Sequence, residues 1–199
     1  MGATAALAIS PGPDNIYVLM QSISNGKKYG LAAIAGLISG CLVHTTLLAF
    51  GVSAIIKQNP QLFFSIKLFG ALYLVFLAYQ VFRSNDRLEV SKVSVPKIGL
   101  WHLFRQGFIM NVLNPKVTIF FLAFFPGFLF STEVSTVIQF YVLGLLFMFV
   151  SAIIFGLIAI LSGLISEYIM KHSRVAFFLK WLQIIVFLGI ATYLLLSDK

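Results

Sequence analysis

The chain has 199 residues, 60% apolar and 10% charged, with a mean hydropathy of +0.99; that balance excludes a water-soluble domain and leaves a membrane protein. The apolar runs are long and continuous rather than alternating, which excludes a transmembrane barrel and leaves helices, the other architecture that satisfies its backbone in lipid. The net charge of +8 does not point to nucleic acid, because the cations follow the loops between apolar runs.

A bilayer core about 30 Å thick takes about 20 apolar residues per helix. Six spans are expected, over residues 3–23, 29–56, 62–82, 106–130, 136–165 and 175–196. The first is interrupted by SPGPDN at residues 10–15. It lacks the basic segment of a cleavable signal and reads as the targeting signal itself. The second carries Cys41, His44 and the pair Gly36 and Gly40, whose spacing suits close helix packing, within the protomer or in a homodimer. After the third comes the longest polar connector, 83–97, too short for a catalytic domain. The fourth is interrupted by NVLNPK at 111–116. On the fifth, Ala152, Gly156, Ala159 and Gly163 make a second strip of small residues.

The loop charges give the orientation. With six spans, Lys27, Lys28, Arg83, Arg87, Lys92, Lys97, Arg105, Lys171 and Arg174 fall on one side, and Lys57 and Lys199 on the other. Positive loops stay in the cytoplasm, so both termini are expected outside it. Lys67 and Lys180 lie near span ends, where long side chains snorkel to water.

Three spans on each side of the connector suggest one polytopic domain over 1–199, whose halves, about 1–83 and 98–199, form an inverted repeat. Each half opens with a proline-broken span. At a helical rise of 1.5 Å per residue, Asp14 lies about 20 Å along the first span and Lys116 about 16 Å along the fourth, both near mid-membrane. Matching interruptions are the sequence mark of a transporter's binding site. Pro11 and Pro13 free carbonyls, Gly12 tolerates unusual dihedrals, and the helix that restarts presents unpaired N–H groups to an anion. Asp14 needs a cationic partner or a proton. Together they could hold the two charges of an amino acid. Asp14 could instead cap the restarted helix and pair permanently with Lys116. Asn114 could contact substrate or act as a cap. Lys116 could counter Asp14, bind a carboxylate, or serve structure alone. His44 could relay a proton, or bond a neighbouring carbonyl.

SPGPDN, AGLISG at 35–40, KLFGALYLVFLAYQVFR at 67–83 and GFIMNVLNPKVTIFFLAFFPGF at 107–128 together resemble the LysE/RhtB family of bacterial amino-acid exporters. The resemblance covers 10–128 well and the last two spans only as generic apolar helices. It implies a carrier of the bacterial inner membrane that exports amino acids or related metabolites, coupled to protons. Pro11, Gly12, Pro13 and Asp14 fall on the family's first motif, with Asn15 beside them; Asn114, Pro115 and Lys116 fall on its second. Ser10 stands where threonine is more usual, and Gly127 where a polar residue often stands.

Other classes fit less well. A thiol–disulfide electron carrier needs two cysteines, and Cys41 is alone. A channel or scaffold remains as an alternative, though nothing resembles a selectivity filter. Ser39, Ser151 and Ser162 lack a base for hydrolysis, and no metal-ligand cluster is seen, so no enzyme, metal or cofactor is expected.

Overall fold

The computed structural model describes residues 2–10, 12–52, 59–84, 97–171 and 173–196. Among these the protein is all-helical. Helix α1 (Gly2–Ile9) and α2 (Pro13–Asn25) occupy the expected first span, α3 is Lys27–Leu47, and α4 is Pro60–Arg83. Then come α5 (Leu100–Val112), α6 (Pro115–Ile119), α7 (Thr136–Ile160), α8 (Ser162–Lys171) and α9 (Ser173–Leu196). Pro11, Lys57, Arg87, Lys92, Lys199 and the connector 85–96 lie outside the described residues.

Among the described residues four helices are long and apolar enough to cross a membrane: Lys27–Gly51, Gln61–Arg83, Thr136–Ile160 and Phe177–Leu196. A fifth crossing results if Leu100–Val112 and Pro115–Phe128, bent by 49° at their junction, count as one span. This pair falls where the fourth span is expected and starts before residue 106, because α5 begins at Leu100. The fifth span ends at Ile160 rather than 165; Leu161 interrupts it, and the short α8 leads to α9. The turn from α2 to α3 uses Gly26 at φ 95°, a conformation natural to glycine.

Packing follows the small residues. A Cβ on Gly36 would strike the carbonyl of Phe104, one on Gly107 would strike that of Ala33, and one on Gly40 would lie 2.7 Å from Asn111 Oδ1. The G-x-x-x-G pair therefore seats α5 against α3 within the protomer. The strip on α7 behaves differently: Gly156 and Gly163 have open space around them, whereas Ala159 is buried beside Gly30. The glycine that admits α7 to α3 is Gly144, whose place a Cβ would contest with the side chain of Thr45.

Helix α7 is apolar all round, and its inner face is marked by Phe140, Gly144, Phe147, Ser151, Phe155 and Ala159, recurring every three to four residues. The outer face, including Ile138, Leu145, Phe149 and Leu157, is exposed, as suits contact with lipid. Helix α4 packs on α9, and Lys180 on α9 donates to the Ser84 carbonyl at 2.7 Å at the end of α4. Lys67 does not behave as expected of a snorkelling residue. It is 7% exposed, with Nζ 5.9 Å from the Phe63 ring centroid.

Candidate functional site

Both interruptions have the same local chemistry. Pro13 and Pro115 each occupy the first turn of the helix that restarts, where a missing N–H costs nothing and the fixed φ already suits a helix. Asn114 caps α6: its Oδ1 accepts from the Lys116 amide at 3.0 Å. Gly12 precedes α2 in extended backbone, φ −162° and ψ 178°, and has no side chain with which to cap. The expected use of its dihedral freedom is not realised, since any residue adopts that conformation. A Cβ there would meet Lys116 Nζ at an ordinary 3.6 Å.

The two interruptions touch. Asn114 Nδ2 donates to Asp14 Oδ2 at 3.0 Å, across 100 residues of sequence. Lys116 Nζ donates to the carbonyls of Leu7 and Ser10, each at 3.1 Å, and lies 5.5 Å from the Phe187 ring centroid. Asn15 Nδ2 donates to the Ala8 carbonyl at 2.7 Å. The last carbonyls of a helix have no partner within it, and here an ammonium and an amide supply them. A cation is electrostatically favoured at a helix C-terminus and an anion at an N-terminus. Lys116 sits at the end of α1, and Asp14 lies in the first turn of α2.

This arrangement shows the bonds these side chains make. Lys116 neither snorkels nor hydrogen-bonds Asp14; the two attract each other, but the ammonium bonds carbonyls while the carboxylate accepts from Asn114. Asn114 is both a cap and a partner of Asp14. Asp14 does not cap α2 through its side chain. His44 is buried, and its Nε2 lies 3.1 Å from the Asn111 carbonyl. A carbonyl only accepts, so that nitrogen carries hydrogen.

A cavity of about 30 Å³ lies where the interruptions meet. Asp14, Asn15 and Lys116 line it, and Asn111, Cys41 and Ser151 add polar atoms from α5, α3 and α7. Leu7, Leu37, Ile38, Val117, Phe147 and Phe155 supply apolar surface. Gly12, Pro13, Asn114, Pro115 and His44 are not part of this lining. Ser151 is 2% exposed, and its hydroxyl has no hydrogen-bond partner among the described residues. Asn111, 3% exposed, holds Oδ1 3.6 Å from the Cys41 sulfur. No cluster of His, Cys, Asp and Glu able to hold a metal occurs among the described residues.

The sequence motifs assign no place at the site to Asn111 or Ser151. The available signal was a lone polar side chain inside an apolar run, in register with the inner face of its helix. Gln139, a buried polar residue at the start of α7, has a different task. Its Oε1 accepts from the amides of Phe130 and Ser131 at 2.7 and 3.1 Å, and its Nε2 donates to the carbonyls of Ser131 and Val134 at 2.8 and 2.7 Å. That fully paired side chain ties down the turn before α7.

Comparison with known proteins accounts for the pattern. The family profile of the LysE type translocators matches residues 5–198. The chain belongs to the LysE type translocator family. It is similar to the leucine efflux proteins of Salmonella choleraesuis (strain SC-B67) and Salmonella typhimurium (strain LT2), at 26% identity over 170 residues, covering 85% of this chain and 80% of each relative. It is also similar to an uncharacterized membrane protein of Pseudomonas aeruginosa, at 28% identity over 170 residues, covering 83% of this chain and 79% of that protein. No solved structure matches the chain. As a LysE type translocator it is a membrane transporter and not an enzyme.

Proposed function

We propose that this translocator exports amino acids with neutral aliphatic side chains from the cytoplasm by alternating access, taking up a proton in exchange. The observation that carries this reading is that Asp14 and Lys116, one from each interruption, line one cavity, with Asn114 bonded to Asp14 beside it. A carboxylate and an ammonium on opposite helix ends complement a zwitterion: Asp14 for its ammonium, and Lys116 with the first amides of α2 for its carboxylate. Lys116 spends two donors on carbonyls, and an ammonium has three. The unpartnered Ser151 hydroxyl adds a further binding group. Leu37, Ile38, Val117, Phe147 and Phe155 offer the aliphatic side chain an apolar wall, in keeping with the name of the Salmonella relatives.

The cavity has room for about one water molecule, so the substrate enters only when the surrounding helices part. That requirement favours a carrier over a channel. Asp14 can hold a proton or the substrate's ammonium but not both, and this exclusivity couples the two fluxes. The architecture completing the reading has six spans. The pair α1–α2 is the broken first span and α5–α6 the broken fourth, in a three-plus-three inverted repeat. Contacts support it: exchange of the halves maps α3 on α5 to α7 on α1 and α2, and maps α4 on α9 to itself, and all of these helices pack together. The protein would sit in the bacterial inner membrane with both termini outside the cytoplasm.

The test is efflux from proteoliposomes loaded with labelled leucine under an imposed pH gradient. Wild type is expected to release label faster when the receiving side is acidic, and Asp14→Asn is expected to lose that acceleration while remaining monodisperse. Coupled efflux unchanged in the variant would remove Asp14 from the mechanism. Absence of leucine efflux from wild type would remove the aliphatic substrate class.

A further inference from the structure

A second, larger cavity of about 480 Å³ lies beside the first, within the volume range of small-molecule pockets. Three elements line both, in the same order. On α1, Gly2, Ala3 and Thr4 face the large chamber, and Leu7 and Ala8 the small cavity. After the fourth-span break, Phe128, Phe125 and Phe124 face the chamber, and Val117 and Lys116 the cavity. On α7, Leu143 and Leu146 face the chamber, and Ser151 and Phe155 the cavity. Phe147 lines both.

We propose that the chamber is the route by which the transported amino acid leaves the Asp14–Lys116 site, and that the Phe147 ring is the barrier between them. The proposal rests on the transport reading above and adds a path and a gate. Phe147 lies one helical turn, about 6 Å, from Ser151. Its ring meets those of Phe121, Phe120 and Phe125 at centroid distances of 4.9, 5.6 and 6.0 Å, so the partition is a packed aromatic cluster rather than one loose side chain. The continuity of three linings names the occupant. The chamber walls are mostly apolar, with Thr4 and Tyr193 among the few polar side chains, and such walls do not hold a zwitterion against water. A release path needs that weakness. Since Gly2 lies at the chamber, outward termini would open it away from the cytoplasm.

Cys41, the single cysteine of the chain, lines the small cavity and is a native reporter of the partition. Gly189 lines the chamber with open space beside it, so Gly189→Cys reports on the chamber itself. Spheroplasts carrying the full chain are treated from outside with an impermeant cationic methanethiosulfonate, and the two cysteines are quantified by peptide mass spectrometry. Access controls thiol labelling, so we expect Gly189→Cys to react about tenfold faster than Cys41, and Phe147→Ala to raise the Cys41 rate by about tenfold. Phe147→Leu keeps more of the cluster and is expected to give an intermediate rate; it decides the matter if Phe147→Ala does not fold. A Cys41 rate indifferent to both variants would overturn the gate. A Gly189→Cys that reacts only with a membrane-permeant maleimide would overturn the route and mark the chamber as lipid-filled. These rates report thiol access and not transport, so their failure and a failure of amino-acid export are separate results.

Discussion

The two cavities meet at one phenylalanine and differ in nearly everything else. The smaller has polar atoms from five helices in about 30 Å³, whereas the larger has about 480 Å³ and mostly apolar walls. Polar groups in a dry cavity interact strongly with one another and are costly to leave unpaired. A wide apolar chamber has neither property. On the reading proposed above, recognition belongs to the small cavity and passage to the large one, so that cavity volume alone would be a poor guide to where a zwitterion binds.

The contrast can be broken first at the charges. Lys116→Met removes the cation that holds the α1 carbonyls and is expected to reduce efflux at least ~100-fold, since losing one member of a buried polar set costs about 3–5 kcal/mol. Efflux assays with surface-expression controls check this; near-normal efflux would move recognition elsewhere. Asn114→Ala removes both the α6 cap and the bond to Asp14, and a fall in transport of about tenfold or more is expected from losses of about 1 kcal/mol each. Ser151→Ala should raise KM for leucine about tenfold or less, because a bond to a charged group contributes about 1.5–3 kcal/mol and part of it is recovered by water. Leu146→Ala, in the chamber wall, should change efflux by no more than about twofold, as trimming a wall that binds nothing does not weaken a substrate bond. A large loss there with little effect at Ser151 would reverse the assignment of the two cavities.

How much of this was legible depends on whether the signal is local. Continuous apolar runs fixed helices and approximate spans, because lipid leaves the backbone few options. Pro13 and Pro115 marked the helix restarts, because a proline's preferences act within one turn. That Asp14 meets Asn114 is tertiary, and no periodicity in either segment contains it. The role of Lys116 as a partner of the α1 carbonyls was likewise hidden, since a lysine's reach allows snorkelling and interior pairing equally. Gly36 and Gly40 were read as packing residues, yet only the crossing with α5 showed that they act within the protomer. As a nucleophile Ser151 has no base. Its place among Phe147 and Phe155, one turn away on each side, put it on the inner face of α7, and that face emerges only once the neighbouring helices are in position.

Counterflow of labelled leucine into proteoliposomes preloaded with unlabelled leucine, compared between wild type and Asp14→Asn, bears most directly on the claim that the meeting point of the two interruptions is the substrate site. Counterflow needs no net driving force, so it separates binding at the carboxylate from proton coupling. We expect transient accumulation of label in wild type and none in a folded Asp14→Asn protein; accumulation of equal height and rate in both would contradict the account.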